Sequence, residues 1–172
     1  KAALCIGQSI SGVQWRPGTD EVLFTTMQYD AGRTQSIHAW NVATGGVRTV
    51  VASEGLLGGG QRYWDAPCAI SSDTLVCVAA EADRPPRLEA IDLESGARRV
   101  LFQPNRMLEE DLAARTPAHL IRWQDERGRA FTGHLFEAAG ARVVSVAYPL
   151  APEHPFPKPL EIGYGVLQWA FK

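Results

Sequence analysis

Apolar and polar residues alternate in short runs through the first hundred positions, and the runs are closed by turn-forming glycine, proline, serine and aspartate. Val13-Gln14-Trp15 leads into Pro17-Gly18 and then Val22-Leu23-Phe24. Trp40 to Val50 reads as a strand, a glycine turn and a strand, and Ile91 to Leu101 repeats that pattern 51 residues later. Upstream of the second unit, Ala69-Ile70 and Leu75-Val76-Cys77 flank a turn at Ser72-Asp73. Period-two alternation between such turns predicts antiparallel hairpins. Two hairpins per repeat make four strands, the content of one propeller blade, at a period near that of known blades. Two such units cannot bury all their faces alone, so further blades upstream or a partner are expected. An antiparallel sandwich is the competing reading.

The period changes after Pro104-Asn105. Leu108 to Arg115 predicts a short helix, and Ala118–Trp123 with Ala130–Phe136 predicts a hairpin turning around Glu126-Arg127-Gly128. Ala141 to Ala147 is almost unbroken apolar sequence, the pattern of a parallel strand buried on both faces. From Pro159 the pattern turns helical, with proline at the first position, Glu161 in the first turn, and Leu160, Tyr164, Leu167 and Phe171 on one face.

Composition narrows the function classes. Seventeen Lys and Arg against nineteen Asp and Glu give a net charge of -2 over 172 residues. No long run of one sign stands out, so neither nucleic acid nor an anionic membrane surface is an implied partner. No apolar stretch nears the ~20 residues that span a bilayer, and a soluble chain is expected, periplasmic or cytoplasmic. The first residue is Lys1 rather than Met, so the native N-terminus is expected to lie upstream. A two-residue turn at Ser72-Asp73 would set Cys68 opposite Cys77, close enough for a disulfide suited to an oxidising compartment. A slip of one residue would leave two buried thiols instead. Cys5 has no evident partner, and no Cys/His spacing marks a metal site.

Several side chains invite a catalytic reading. Ser145 lies inside an apolar strand rather than on a strained strand-to-helix turn, so scaffold is the better role. Glu153 and His154 are chain neighbours, which rarely hold triad geometry. His38, beside Trp40, reads as a packing residue, and Trp15, Trp40, Trp64, Trp123 and Trp169 read as sheet core. His119 and His134 could approach each other across their hairpin but lack a third ligand. Leu56-Leu57-Gly58-Gly59-Gly60 lacks the Gly-Lys-Ser/Thr of a phosphate loop and the histidine of an oxyanion loop, and reads as a flexible connection.

Repeated hairpins that lead into a strand and the loop Tyr148-Pro149-Leu150-Ala151-Pro152-Glu153-His154-Pro155-Phe156-Pro157 resemble the prolyl oligopeptidase family of serine peptidases. Tyr63 to Cys77, Gly96 to Phe102 and Thr132 to Phe136 are most similar to its lasso-peptide isopeptidases. That likeness spans residues from about 12 to 136. The segment from Tyr148 to Glu161 resembles the hormone-sensitive-lipase-like esterases, with Pro149 where that family carries arginine. That likeness covers only about 30 residues.

The resemblance implies a β-rich N-terminal part of antiparallel propeller blades over residues 1–104 and an incomplete α/β-hydrolase segment over 105–172. It implies a peptide substrate for the intact protein, a lasso peptide among the candidates, and no cofactor. Between Phe136 and Ala138 only Glu137 stands where about 40 residues with the first strands and oxyanion loop are expected. The nucleophile elbow, acid and histidine are expected beyond Lys172. No residue is therefore assigned a catalytic, cofactor or metal role, and the chain alone is expected to be inactive. A hormone-sensitive-lipase-type carboxylesterase and a noncatalytic binding module are the rival functions.

Overall fold

The computed structural model describes residues 8–28, 34–58, 67–124, 128, 130–138, 141–147 and 157–170. The first sheet is an antiparallel meander of β1 (Ser9–Trp15), β2 (Glu21–Gln28), β3 (Thr34–Asn41) and β4 (Val47–Ala52). The second repeats that order with β5 (Ala69–Ile70), β6 (Thr74–Ala79), β7 (Arg87–Asp92) and β8 (Arg98–Phe102). Helix α1 (Arg106–Arg115) follows, and then a third sheet of order β11-β10-β9 made by β9 (Ala118–Gln124), β10 (Ala130–Ala138) and β11 (Ala141–Ala147). Helix α2 (Lys158–Ala170) ends the described chain.

The internal repeat is reproduced in register. β3 and β4 slip between Ile37 and His38, and β7 and β8 slip between Leu88 and Glu89, 51 residues on. In the first turn the Asn41 side-chain oxygen accepts from the N–H groups of Ala43 and Thr44. In the second, Asp92 accepts from Glu94 and Ser95. Short acceptor side chains at these positions close an Asx turn, which is why the pattern was legible as punctuation.

The two meanders pack face to face. Leu23, Ile37, Ala39, Val50 and Val51 of the first sheet bury against Leu75, Cys77, Ala79, Ile91 and Leu93 of the second, with Leu57 between them. Each leucine, isoleucine and valine among them contributes roughly 1.5–3 kcal/mol on removal from water. The contact is tight at the second turn: a Cβ at Gly96 would stand 2.2 Å from the Val50 carbonyl oxygen. Arg48 donates to the Leu93 carbonyl at 2.8 Å.

Arg16 locks the same end. Its buried guanidinium donates to the Ser72 carbonyl, Glu21, Glu94 and Asp73 at 2.7–3.0 Å. One planar fork thus satisfies acceptors from both sheets. Burial alone would raise the Glu21 carboxyl, but the hydrogen bonds from Arg16 and Arg48 hold it below its ordinary value.

Several expectations are corrected. Ala141–Ala147 is antiparallel to β10, with Ala138 opposite Ala141, and Val143 is exposed. Two intervening residues can close a hairpin, whereas a parallel crossover needs a dozen or more. Helix α2 buries Ile162 and Val166 against Trp123 and Phe131, and leaves the expected stripe of Leu160, Tyr164 and Leu167 exposed. Trp169 stacks on Trp123 at 5.5 Å. The faces were confused because both carry apolar side chains at helical spacing.

Trp15 and Trp40 are exposed rather than core, and Trp169 lies partly exposed on α2 rather than in a sheet. The described part of the glycine-rich connection is tied down, since the Gln35 side-chain oxygen accepts from the Leu57 and Gly58 N–H groups at 2.6 and 2.9 Å. Cys5, Trp64, Phe171 and the segment 148–156, with Glu153 and His154, lie outside the described residues.

Cys68 and Cys77 form a disulfide, with Cα atoms 4.5 Å apart. The two-residue turn is in place, Ser71 N–H donating to the Thr74 carbonyl at 2.9 Å, so the register that pairs the cysteines is the one adopted.

Candidate functional site

A cleft of about 330 Å³ opens where the three sheets meet. The end of β4 supplies Ala52 and Glu54, the β6–β7 connection Glu81 to Arg84, and β8 Arg98. The third sheet supplies Ala118, Leu120 and His134. Asp83 joins two of these parts by accepting the Ala118 N–H at 3.0 Å.

An ion-pair ring lies behind this lining. Arg87 donates to Glu89 at 2.6 Å, Arg98 donates to Glu89 at 2.7 Å, and Arg98 reaches Glu81 at 3.3 Å. Arg87 Nη1 and Glu81 Oε2 close the ring at 2.5 Å, outside hydrogen-bonding angles, so that contact is ionic rather than directional. Arg87 has a fully buried side chain. Burial works against its charge, but Glu81 and Glu89 outweigh that and raise its pKa. Buried charges persist only when paired in this way.

His134 faces the cleft half-buried. Burial lowers its pKa, opposed by the negative charges of Asp83 and Glu54. His119 pairs with Leu135 while His134 pairs with Leu120, so the two histidines point to opposite faces of the sheet and do not converge. Alternation along a strand dictates that result.

Ser145 stands directly across from His134 in the β10–β11 register. That neighbour was missed because the strand was read as parallel rather than as the antiparallel partner of β10. No hydrogen bond joins the Ser145 hydroxyl to His134 among the described residues, and Ser145 is on a regular strand. It lacks the activating base contact of a nucleophile.

His38 is buried in the first sheet, its two ring nitrogens 3.0 and 3.1 Å from the hydroxyls of Thr26 and Thr49. Its bonds are internal to the sheet, which agrees with a packing role. Among the described residues the cleft is lined by the charged side chains Glu54, Glu81, Asp83, Arg84 and Arg98 beside His134, which equips it to hold a ligand by charge and hydrogen bonding. Among the described residues no cluster of His, Cys, Asp and Glu could hold a metal ion, and no helix is long and apolar enough to cross a membrane.

Residues 121–172 match a family model described as the alpha/beta hydrolase fold. A search of curated protein sequences finds no significant match. Among solved structures the chain is similar to the AtxE2 isopeptidase in its apo form, at 18% identity and a TM-score of 0.63. It is equally similar to a serine-to-alanine variant of AtxE2 with Astexin3-dC4 bound, at 18% identity and a TM-score of 0.62. Each match covers 79% of this chain and 19% of the other, so the chain spans about a fifth of the length of those proteins. At this identity the likeness is one of fold. Together these findings support a hydrolase-like fragment in which antiparallel meanders precede an α/β-hydrolase segment.

Proposed function

We propose that this chain is the junction between a β-propeller and an α/β-hydrolase domain in a serine peptidase of the prolyl oligopeptidase type, acting on peptide or isopeptide bonds. The observation that carries this reading is the order of parts. Two four-stranded meanders stack face to face and run into a hairpin, and the α/β-hydrolase match begins in the first strand of that hairpin. The structural likeness to an isopeptidase over most of the chain supports the same reading.

In this role the stacked meanders form part of a wall that restricts access of bulky substrates, and the three-sheet cleft lies where wall and catalytic domain meet. A serine activated by histidine would attack the carbonyl, and backbone amides would hold the oxyanion. The sequence carries no Gly-x-Ser-x-Gly elbow, and the chain by itself is expected to be inactive. A fluorophosphonate probe tests this directly: the purified chain stays unlabelled, and covalent labelling would overturn the reading. A sequencing read across the coding locus tests the rest, with further four-stranded repeats on one side and a Gly-x-Ser-x-Gly elbow on the other as the expected result.

The Ala151-Pro152-Glu153-His154-Pro155-Phe156-Pro157 loop favours a second reading, an esterase of the hormone-sensitive-lipase type. A polypeptide completed from that locus would then cleave short acyl esters and leave peptides intact.

A further inference from the structure

The internal repeat supplies a comparison for the Cys68–Cys77 bond. Cys77 stands 51 residues after Thr26, and each lies on the second strand of its meander. In the first sheet Thr26 pairs with Ile10 of β1, a strand of seven residues whose ladder runs on to Trp15 opposite Val22. In the second sheet β5 has only two residues, paired as Ala69 with Val76 and Ile70 with Leu75. The next pair outward is Cys68 and Cys77, so a covalent bond stands where the first sheet uses further strand. β5 is therefore held to its sheet by the shortest ladder among the described strands and by one reducible bond.

The rest of the second sheet does not lean on that bond. β6 pairs with β7 from Thr74 to Ala79, and β7 pairs with β8 from Leu88 to Ile91. Leu75, Ile91 and Leu93 are wholly buried between the sheets. The turn beyond β5 is fixed separately, since Arg16 of the first sheet donates to the Ser72 carbonyl and to Asp73. Each sulfur also has a place in the reduced state. Cys77 is 1% exposed in an apolar core, where a thiol packs as a small hydrophobe. Cys68 is half-buried, with its sulfur 3.4 Å from the Leu57 carbonyl oxygen. A disulfide sulfur has no proton to give that acceptor, whereas a thiol donates to it. The Cys68 carbonyl in turn accepts from the Gln14 side chain of the first sheet at 3.0 Å, so the placement of Cys68 bears on the seam between the sheets.

We propose that the Cys68–Cys77 bond is a reversible redox latch that fixes β5 to the second sheet and, through the Cys68 carbonyl, closes the Gln14 end of the seam. The reductant is a small dithiol. One of its thiolates attacks Cys68 Sγ, the Sγ–Sγ bond breaks, and the Cys77 thiolate leaves and takes a proton. Its second thiolate then attacks the dithiol sulfur of the mixed disulfide, and Cys68 leaves and takes a proton. The dithiol ends as a disulfide, and two electrons and two protons have passed to the cysteines. Attack falls on Cys68 because Cys77 is buried. In the reduced chain the Cys68 thiol turns to the Leu57 carbonyl, β5 loosens and the Gln14 contact opens, while Arg16 keeps the turn in place. This inference depends on neither reading of the catalytic function.

The test is residue-resolved amide hydrogen exchange on the 172-residue chain carrying Cys5→Ser, which removes the third thiol. Oxidised, dithiothreitol-reduced and re-oxidised samples are compared. Exchange at Ala69 and Ser71 should rise by about tenfold or more on reduction, as expected of local opening, and return on re-oxidation. β7, β8 and the strands β2 to β4 should be unchanged. Cys68→Ala with Cys77→Ala removes the thiol that donates to Leu57 and should exchange faster at these positions than the reduced chain. Loss of protection throughout β7 and β8, or global unfolding on reduction, would overturn the proposal, because the bond would then be a staple for the whole sheet. Unchanged exchange, or a reduced chain that does not re-form the bond, would overturn it as well. Equal exchange in the double alanine variant and the reduced chain would remove the Leu57 carbonyl from the latch.

Discussion

Asn41 and Asp92 hold the same turn 51 residues apart. Each side-chain oxygen accepts two backbone N–H groups and one hydroxyl, from Thr44 in the first case and Ser95 in the second. An amide and a carboxylate therefore serve one geometry. Asn41→Ala should lower stability by about 1 kcal/mol through the lost hydrogen bonds. Asn41→Asp should stay close to wild type, because Asp92 shows that a carboxylate fits. Thermal melts of the two variants check both outcomes.

Gly45 and Gly96 separate backbone strain from packing. Both have positive φ, so alanine at either position carries a strain of roughly 1–2 kcal/mol. At Gly96 the new methyl also meets the Val50 carbonyl oxygen, which belongs to the neighbouring sheet. Gly96→Ala should therefore destabilise clearly more than Gly45→Ala in urea titrations at low protein concentration. Equal losses would show that the sheets are not in the contact described.

Burial lowers the pKa of His38 below its ordinary value of 6.5. Below about pH 6.5 the unfolded chain then binds more protons than the folded one. The sign follows: stability is full above that pH and declines as pH falls. His134 is shifted in the same direction, so His38→Gln should reduce the decline between pH 7.5 and 5 without removing it. Urea midpoints of wild type and variant across that interval provide the comparison.

The Cys68–Cys77 bond closes a short loop, with a sequence separation of 9. Loop closure of this size stabilises by about 2–3 kcal/mol in the chain-entropy account. Reduction should lower the melting temperature, and Cys68→Ser with Cys77→Ala should remove that sensitivity to reductant. Thiol counting by mass spectrometry under denaturing, non-reducing conditions should find one free cysteine, Cys5, per chain.

The orientation of α2 has its own test. Ile162→Ala removes a side chain buried against Trp123 and Phe131 and should cost about 2–4 kcal/mol. Leu160→Ala changes an exposed position and should stay within about 0.5 kcal/mol. Near-ultraviolet circular dichroism of the Trp123–Trp169 stack should follow the first variant and ignore the second.

The repeated meanders were legible in the sequence because their information is local. Alternation set the strands, Asn41 and Asp92 with their following glycines set the turns, and the 51-residue spacing exposed the repeat before any contact was known. The cysteine pairing needed one further fact, the turn at Ser72-Asp73, which leaves only one register in which Cys68 meets Cys77. Which neighbour covers an apolar face is not local, and there the sequence fell short. Ala141–Ala147 carries an apolar pattern that parallel and antiparallel sheets share, and the short hairpin decided between them. Helix α2 has apolar residues on two faces, and only the position of Trp123 and Phe131 selected Ile162 and Val166. The cleft joins Glu54, Asp83 and His134 from three sheets, and no spacing along the chain encodes that meeting. Tertiary packing decided it, because burying apolar area rewards whichever faces fit together and is indifferent to their distance in sequence.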